Sequence, residues 1–208
     1  MTEEDYIAAH ISAEPPALRR LYRDTHLRRL YPRMCTDHIQ GRILVMLTRM
    51  IAPSAILELG TFTGYSTLCF AEAAPRARID TVEIDADYAD ELRELFATAA
   101  PDTRITLHTG DAEELLPSLL ADNSYDMVFI DANKRRYPQY YEALIGSMRP
   151  GSYILADNTL WTDKVLDPTA HDPQTEGIRA FNDMVAADRR VEKVILPVRD
   201  GLTLIRIK

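Results

Sequence analysis

From Ala55 to the end of the chain, short apolar runs alternate with helix-length amphipathic segments, and this is the feature that most restricts the fold. The runs are "AILEL", "RIDTVEI", "RITLHT", "DMVFI", "SYILA", "VEKVILP" and "GLTLIRI". Between them lie "YSTLCFAEAA", "ADYADELRELFATAA", "AEELLPSLLA", "YPQYYEALIGSM" and "TEGIRAFNDMVAAD", each with apolar residues at three- and four-residue spacing. Strand, helix, strand in strict succession predicts an α/β domain around a mostly parallel sheet with helices on both faces. The last two runs are joined by "VRDG", whose Asp200-Gly201 pair signals a tight turn, so the final strand is expected to return antiparallel.

Residues 1–51 form a helical preface to this core, residues 55–208, and no linker divides the 208 residues, so a single domain is expected. In "DHIQGRILVMLTRMI", Ile39, Ile43, Met46, Leu47 and Met50 share one helical face and are expected to be core. Cys35 and Cys69 each sit in an apolar helical pattern, which predicts buried free thiols and a reducing compartment. No stretch approaches 18 uninterrupted apolar residues, and "MTEEDY" lacks the basic and apolar regions of a signal peptide; a cytoplasmic protein with no membrane contact is expected.

The net charge of −8 would repel a phosphate backbone. The one basic feature is "ALRRLYRDTHLRRL", where Arg19, Arg20, Arg23, Arg28 and Arg29 gather on a helix, most simply as a solvated face.

Chemistry is concentrated where apolar runs end. "AILELGTFTGYST" is a strand running into Gly60 and Gly64 and then a helix, a loop in which the backbone can approach a ligand closely. With Thr61-Phe62-Thr63 between the glycines it misses the G-x-G-x-x-G pattern that cradles a pyrophosphate, which argues against a nicotinamide-dependent dehydrogenase. Glu58, just before the turn, would repel phosphate and suit an ammonium or sulfonium. Glu83 ends the second run, where a carboxylate can accept from both hydroxyls of a ribose. Together they predict an adenosine-containing ligand with positive charge. In "TGDAEELLP", Asp111 is either a helix N-cap or an adenine contact, with Ala112 beside it.

Asp131 follows the fourth run, and Asp157-Asn158 follow the fifth. In an open parallel sheet the carboxyl ends of strands are where ligands bind. Two carboxylates and an amide oxygen, without His or Cys, suit Mg²⁺, Mn²⁺ or Ca²⁺ rather than zinc. The plainer alternative is a helix cap at Asp131 and a turn at Asp157-Asn158. Lys134 lies three residues beyond Asp131. An ammonium beside a divalent cation sheds its proton more readily, so this lysine is a candidate general base toward a metal-activated hydroxyl.

"ELGTFTGYS", "VEID", "GDA", "YDMVFIDANKRRYPQYY" and "ADNTLW", in this order and spacing, resemble the class I, cation-dependent O-methyltransferases of the caffeoyl-CoA and catechol group, as a small bacterial-type member. The resemblance spans nearly the whole chain. It implies a Rossmann-like seven-stranded sheet and S-adenosylmethionine (SAM) as cofactor. The methionine end would lie near Glu58, Gly60 and Thr61, the ribose on Glu83, and the adenine near Asp111 and Ala112, with Asp131 also bordering the cofactor. Ser66 matches a cofactor-contacting serine, and Met34 and Thr36 match the segment that closes over the methionine portion. Asp131, Asp157 and Asn158 fall on the three metal ligands and Lys134 on the base.

Plant members usually read D-A-D-K where this chain has Asp131-Ala132-Asn133-Lys134, so Asn133 departs at a position beside the adenine. The short N-terminal extension favours a small catechol or related phenol over a large acyl-CoA thioester. Trp161 and the loop after it would cover that aromatic ring or pack the loop onto the body. Methylation of a hydroxylated tRNA nucleoside is the alternative within the same chemistry, and a cofactor-holding protein without turnover the alternative outside it. Members of the group are commonly dimers, so a homodimer is expected.

Overall fold

A computed structural model describes residues 1–208. The preface comprises α1 (Glu3–His10), α2 (Pro16–Arg28) and α3 (His38–Ile51). Then come β1 (Ala55–Leu59), α4 (Tyr65–Ala73), β2 (Arg78–Glu83), α5 (Ala89–Ala99), β3 (Arg104–Thr109) and α6 (Ala112–Asp122). The chain continues through β4 (Met127–Ile130), α7 (Tyr137–Ile145), β5 (Tyr153–Asp157), α8 (Pro173–Ala187), β6 (Val191–Leu196) and β7 (Leu202–Ile207).

The seven strands form one sheet in the order β3-β2-β1-β4-β5-β7-β6, with β1 to β5 parallel and β7 antiparallel to both neighbours, as the sequence predicts for its last strand. The turn before β7 uses left-handed backbone at Arg199 and Gly201. Strand order reverses between β1 and β4. Connections diverge to opposite sides of the sheet there, leaving a crevice at the carboxyl ends of those two strands.

Both faces of the sheet are covered, so central strands read as continuous apolar runs. Side chains still alternate. Leu57, Leu59, Val128 and Ile130 pack toward α6, α7 and α8, while Ile56, Met127 and Phe129 pack toward α3, α4 and α5. Phe70 meets Phe129 edge to face at 5.4 Å in the second layer, a favoured aromatic geometry.

Three sequence expectations need correction or detail. The buried residues of α3 are Gln40, Gly41, Arg42, Leu44, Val45 and Thr48, whereas Met46 and Met50 of the expected core stripe are exposed. The helix rotates this way because it presses its smallest residue onto α4: a Cβ on Gly41 would stand 2.9 Å from the Tyr65 ring. Cys69 is buried in α4, but Cys35 is buried just after the 3₁₀ turn Pro32–Met34, outside any helix; both are free. Of the arginines on α2, Arg19, Arg20, Arg23 and Arg28 are exposed. Arg29 folds back, pairing with Glu91 at 2.5 Å and stacking over the Tyr88 ring. No helix is long and apolar enough to cross a membrane.

Candidate active site

At the β1 end, Gly60 has φ +99°, and a Cβ built there would stand 2.2 Å from the Asp131 carbonyl oxygen. No other residue fits, for two reasons: the left-handed backbone and the contact with the chain leaving β4. The loop after β1 and the carboxylate after β4 are therefore packed against each other. Asp131 N–H donates to the Leu59 carbonyl at 2.8 Å, fixing the same junction.

Glu83, at the end of β2, accepts from the Phe62 N–H (2.6 Å) and the Asp85 N–H (2.9 Å), one on each oxygen. Burial raises its pKa and these amides pull against that. Each oxygen keeps a further lone pair, the requirement for meeting a pair of hydroxyls. Thr61 is buried and shares a 2.6 Å hydrogen bond with Thr81. Asp111 is the N-cap of α6, accepting from the Glu113 N–H, with Ala112 buried beside it. Thr36 is buried and Met34 exposed in the segment ahead of α3.

Glu58 is the residue whose placement sequence reasoning did not give. It lies two residues after Ile56, hence on the α4 face, and is fully buried. Its carboxylate accepts from the hydroxyls of Ser66 (2.5 Å), Thr81 (2.6 Å) and Thr67. Burial pushes its pKa up to about 7 against those three donors. It thus orients the hydroxyls at the start of α4, Ser66 among them, and its contacts here are not with solvent.

At the β4 end, Asn133 caps the 3₁₀ turn Lys134–Arg136 by accepting from the Arg135 N–H. A short polar side chain is what such a cap requires, which gives Asn133 a structural role independent of any ligand. The turn sends the Lys134 ammonium inward, 2.5 Å from Asp131 Oδ1 and 2.8 Å from the Tyr137 hydroxyl. That hydroxyl lies 3.1 Å from the Ile130 carbonyl and 3.0 Å from the Asp157 carbonyl, joining the ends of β4 and β5.

Asp157 is 3% exposed, accepting from Gln40 Nε2 (2.7 Å) on one oxygen and the Asn158 N–H (2.8 Å) on the other. Burial first, and the negative charge of Asp131 next, push its pKa up to about 6, with Lys134 opposing. Asn158 turns out of the strand in the left-handed region, φ +58°. No group of three or more His, Cys, Asp or Glu side chains in the chain is arranged to hold a metal ion. The donor set here is two carboxylates and an amide. Buried Asp157 and half-buried Asp131 share one Lys134 ammonium between two carboxylates, and all-oxygen donors match a hard divalent cation. The residues fit such an ion.

Four residues of the site escaped the sequence reading. Tyr137 and Gln40 looked like ordinary helix residues. Gly177, in α8, is the point where α8 touches the lysine turn: a Cβ there would stand 2.5 Å from the Lys134 carbonyl oxygen. Arg179, two residues further along, donates to the carbonyls of Lys164, Val165, Asp167 and Ala170 and so holds the loop between β5 and α8. Glycine inside a helical pattern was the one local signal available. That loop carries three consecutive non-glycine residues at positive φ, Trp161, Thr162 and Asp163. The Trp161 ring packs against the core layer under α8, and its buried indole N–H has no protein partner.

Residues 8–208 match the family model described as O-methyltransferase. The chain is 35% identical over 185 residues to a catechol O-methyltransferase of Niastella koreensis, covering 85% of this chain and 84% of that one. It is 34% identical over 205 residues to a caffeoyl-CoA O-methyltransferase of Petroselinum crispum, with 93% and 84% covered. Among solved structures it superposes on the O-methyltransferase TomG of Streptomyces achromogenes, involved in tomaymycin synthesis and in complex with SAM. There the TM-score is 0.89 at 30% identity, over 100% of both chains. The SAH-bound methyltransferase PaMTH1 of Podospora anserina gives 0.89 at 27% identity, over 99% of this chain and 93% of that one.

Proposed function

The chain belongs to the O-methyltransferase family and is a SAM-dependent enzyme of that class, and on that premise we propose that it methylates one hydroxyl of a small catechol-type phenol with the aid of a divalent cation. The observation that carries this reading is the contact between Gly60 and Asp131. It makes the cofactor loop and the carboxylate pair two walls of one crevice, so a methyl donor and a hydroxyl acceptor held on them adjoin.

In this reading Asp131, Asp157 and Asn158 hold the cation, Glu83 takes the ribose hydroxyls, and Ser66, Thr61, Thr36 and Met34 border the rest of the cofactor, with Asp111 and Ala112 near the adenine. A cation held by these residues would supply Lewis acidity toward a substrate hydroxyl, and SAM would supply the methyl group. Lys134 would receive the hydroxyl proton as its neutral amine, the ammonium having first released a proton to solvent beside the cation. Its Nζ is fixed by Asp131 and Tyr137, so the remaining position on the nitrogen is directed rather than free to rotate, and orientation of this kind is a large part of what the protein supplies. The loop clamped by Arg179 and anchored on the body by Trp161 would form the cover over the ring, excluding water from the oxyanion. The sequence similarity to enzymes named for catechol and caffeoyl-CoA supports a phenolic acceptor.

The test is methyl transfer from labelled SAM to a panel of simple catechols, catechol acids and bulk tRNA, with Mg²⁺ or with chelator. Transfer to a small catechol that stops on chelation is expected, together with loss of about 10²-fold or more in kcat for Lys134→Met, the range for a general base. A metal-independent rate sinks the proposal. Labelled tRNA would redirect it toward the exposed Arg19, Arg20, Arg23 and Arg28 of α2.

A further inference from the structure

We propose that Gln40 is a positioning residue for the Asp157 carboxylate, with Arg199 as its anchor, so that α3 and the turn between β6 and β7 set the affinity of the site for a divalent cation. The inference rests on the metal reading given above.

Gln40 lies in the first turn of α3, is 1% exposed, and has both ends of its amide engaged. Nε2 donates to Asp157 Oδ2 at 2.7 Å, and Oε1 accepts from Arg199 Nη1 at 2.5 Å. An amide presents either a donor or an acceptor depending on a flip about its last bond. The guanidinium, which has only donors, fixes that choice. With Oε1 committed to Arg199, only N–H can face Asp157; with Arg199 gone, the amide could rotate and set an oxygen against the carboxylate.

Arg199 is itself held on three sides. Its Nε pairs with Asp37 Oδ2 at 3.2 Å, its Nη1 also reaches the Cys35 carbonyl at 3.4 Å, and its backbone is left-handed at φ +46°. Asp37 in turn caps α3 through the Gln40 N–H. The chain of contacts runs from the β6–β7 turn through Arg199 and Gln40 to Asp157. With Gln40 on one oxygen and the Asn158 N–H on the other, the carboxylate is held against rotation.

Burying a primary amide between α3 and β5 is costly unless both ends are satisfied, and an apolar side chain of the same length would seal this contact more simply. Donors of this kind fix the orientation of ligating carboxylates in metal sites generally.

The experiment measures Mn²⁺ binding to chelator-stripped protein, without SAM or substrate, by the paramagnetic resonance of free Mn²⁺. Gln40→Met keeps length and volume and removes both bonds. The expected result is a rise in the Mn²⁺ Kd of roughly 10- to 100-fold, with the SAM Kd changed by less than about twofold and kcat largely recovered at saturating Mn²⁺. Arg199→Met, should Gln40→Met fail to fold, is expected to raise the Mn²⁺ Kd by about fivefold or more through the freed amide. A wild-type Mn²⁺ Kd in a folded variant overturns the proposal, as does a parallel fall in SAM affinity, which marks a mere structural cross-link. If the wild-type chain itself binds no Mn²⁺, the metal reading fails and this inference fails with it.

Discussion

The Tyr137 hydroxyl stands 2.8 Å from the Lys134 ammonium, the one neutral group among the lysine's two anchors. Burial raises the phenol's pKa well above its ordinary value, so it remains a hydroxyl, accepting from Lys134 and donating its single proton to the carbonyls at the ends of β4 and β5.

Removing that oxygen with Tyr137→Phe leaves the ring in place but lets the ammonium swing on Asp131 alone. The expected loss is about 10- to 100-fold in kcat with SAM affinity unchanged. Stability should fall by about 1–3 kcal/mol, because a buried carbonyl loses its donor. Single-turnover methyl transfer and urea titration check both parts, and an unchanged kcat would show that Asp131 alone places the lysine.

Gly177→Ala sets helix propensity against packing. Alanine favours a helix interior by about 1 kcal/mol, but its Cβ would meet the Lys134 carbonyl oxygen at 2.5 Å and the Arg135 Cα at 2.7 Å, both backbone atoms with little room to yield. The clash should win, for a net destabilisation of about 1–3 kcal/mol and a fall in kcat as the lysine turn is displaced. A more stable variant in urea would contradict the packing described here.

Arg179 holds four backbone carbonyls of the β5–α8 loop with one side chain. Arg179→Met should leave the sheet intact but release the loop. Limited proteolysis between Asn158 and Pro173 should then become faster, and KM for the phenol should rise by about tenfold while the SAM Kd holds, a loss of about 1.4 kcal/mol. Wild-type proteolysis would mean that the loop is held by Trp161 and Val165 packing instead.

The Glu58 carboxyl makes stability depend on pH in a direction opposite to that of surface carboxylates. Its folded-state pKa, about 7, lies above its ordinary 4.5, so the fold binds the proton more tightly than the unfolded chain does. That contribution is fully present below pH 4.5 and is lost as pH rises through about 7. At about 1.4 kcal/mol per unit it amounts to at most about 3–4 kcal/mol. Relative to wild type, Glu58→Gln should therefore gain stability as pH rises from 5 to 8, measured by urea denaturation of metal-free, cofactor-free protein. A flat difference would mean that the three hydroxyls keep the carboxylate ionised throughout.

The sequence by itself determined the order of strands and helices, the returning last strand, and the positions of Asp131, Lys134, Asp157 and Asn158 at strand ends. These are local facts. Hydrophobic period, strand length and turn chemistry are each set within about ten residues, and a parallel sheet places every strand's carboxyl end on one edge. The tertiary structure alone decided which face each helix shows and which side chains meet across the sheet. α3 is apolar on more than one side, so its period could not exclude Met46 and Met50 from the core; contact with Tyr65 through Gly41 did. Glu58 was legible as a strand-end carboxylate, but its partners on α4 and β2 were not. Gln40 meets Asp157 across 117 residues, and Gly177 meets Lys134 across a helix-to-turn contact; neither pairing leaves a trace in nearby spacing. Orientation within the site depends on packing between elements distant in the chain, and that packing exists only once the sheet has assembled.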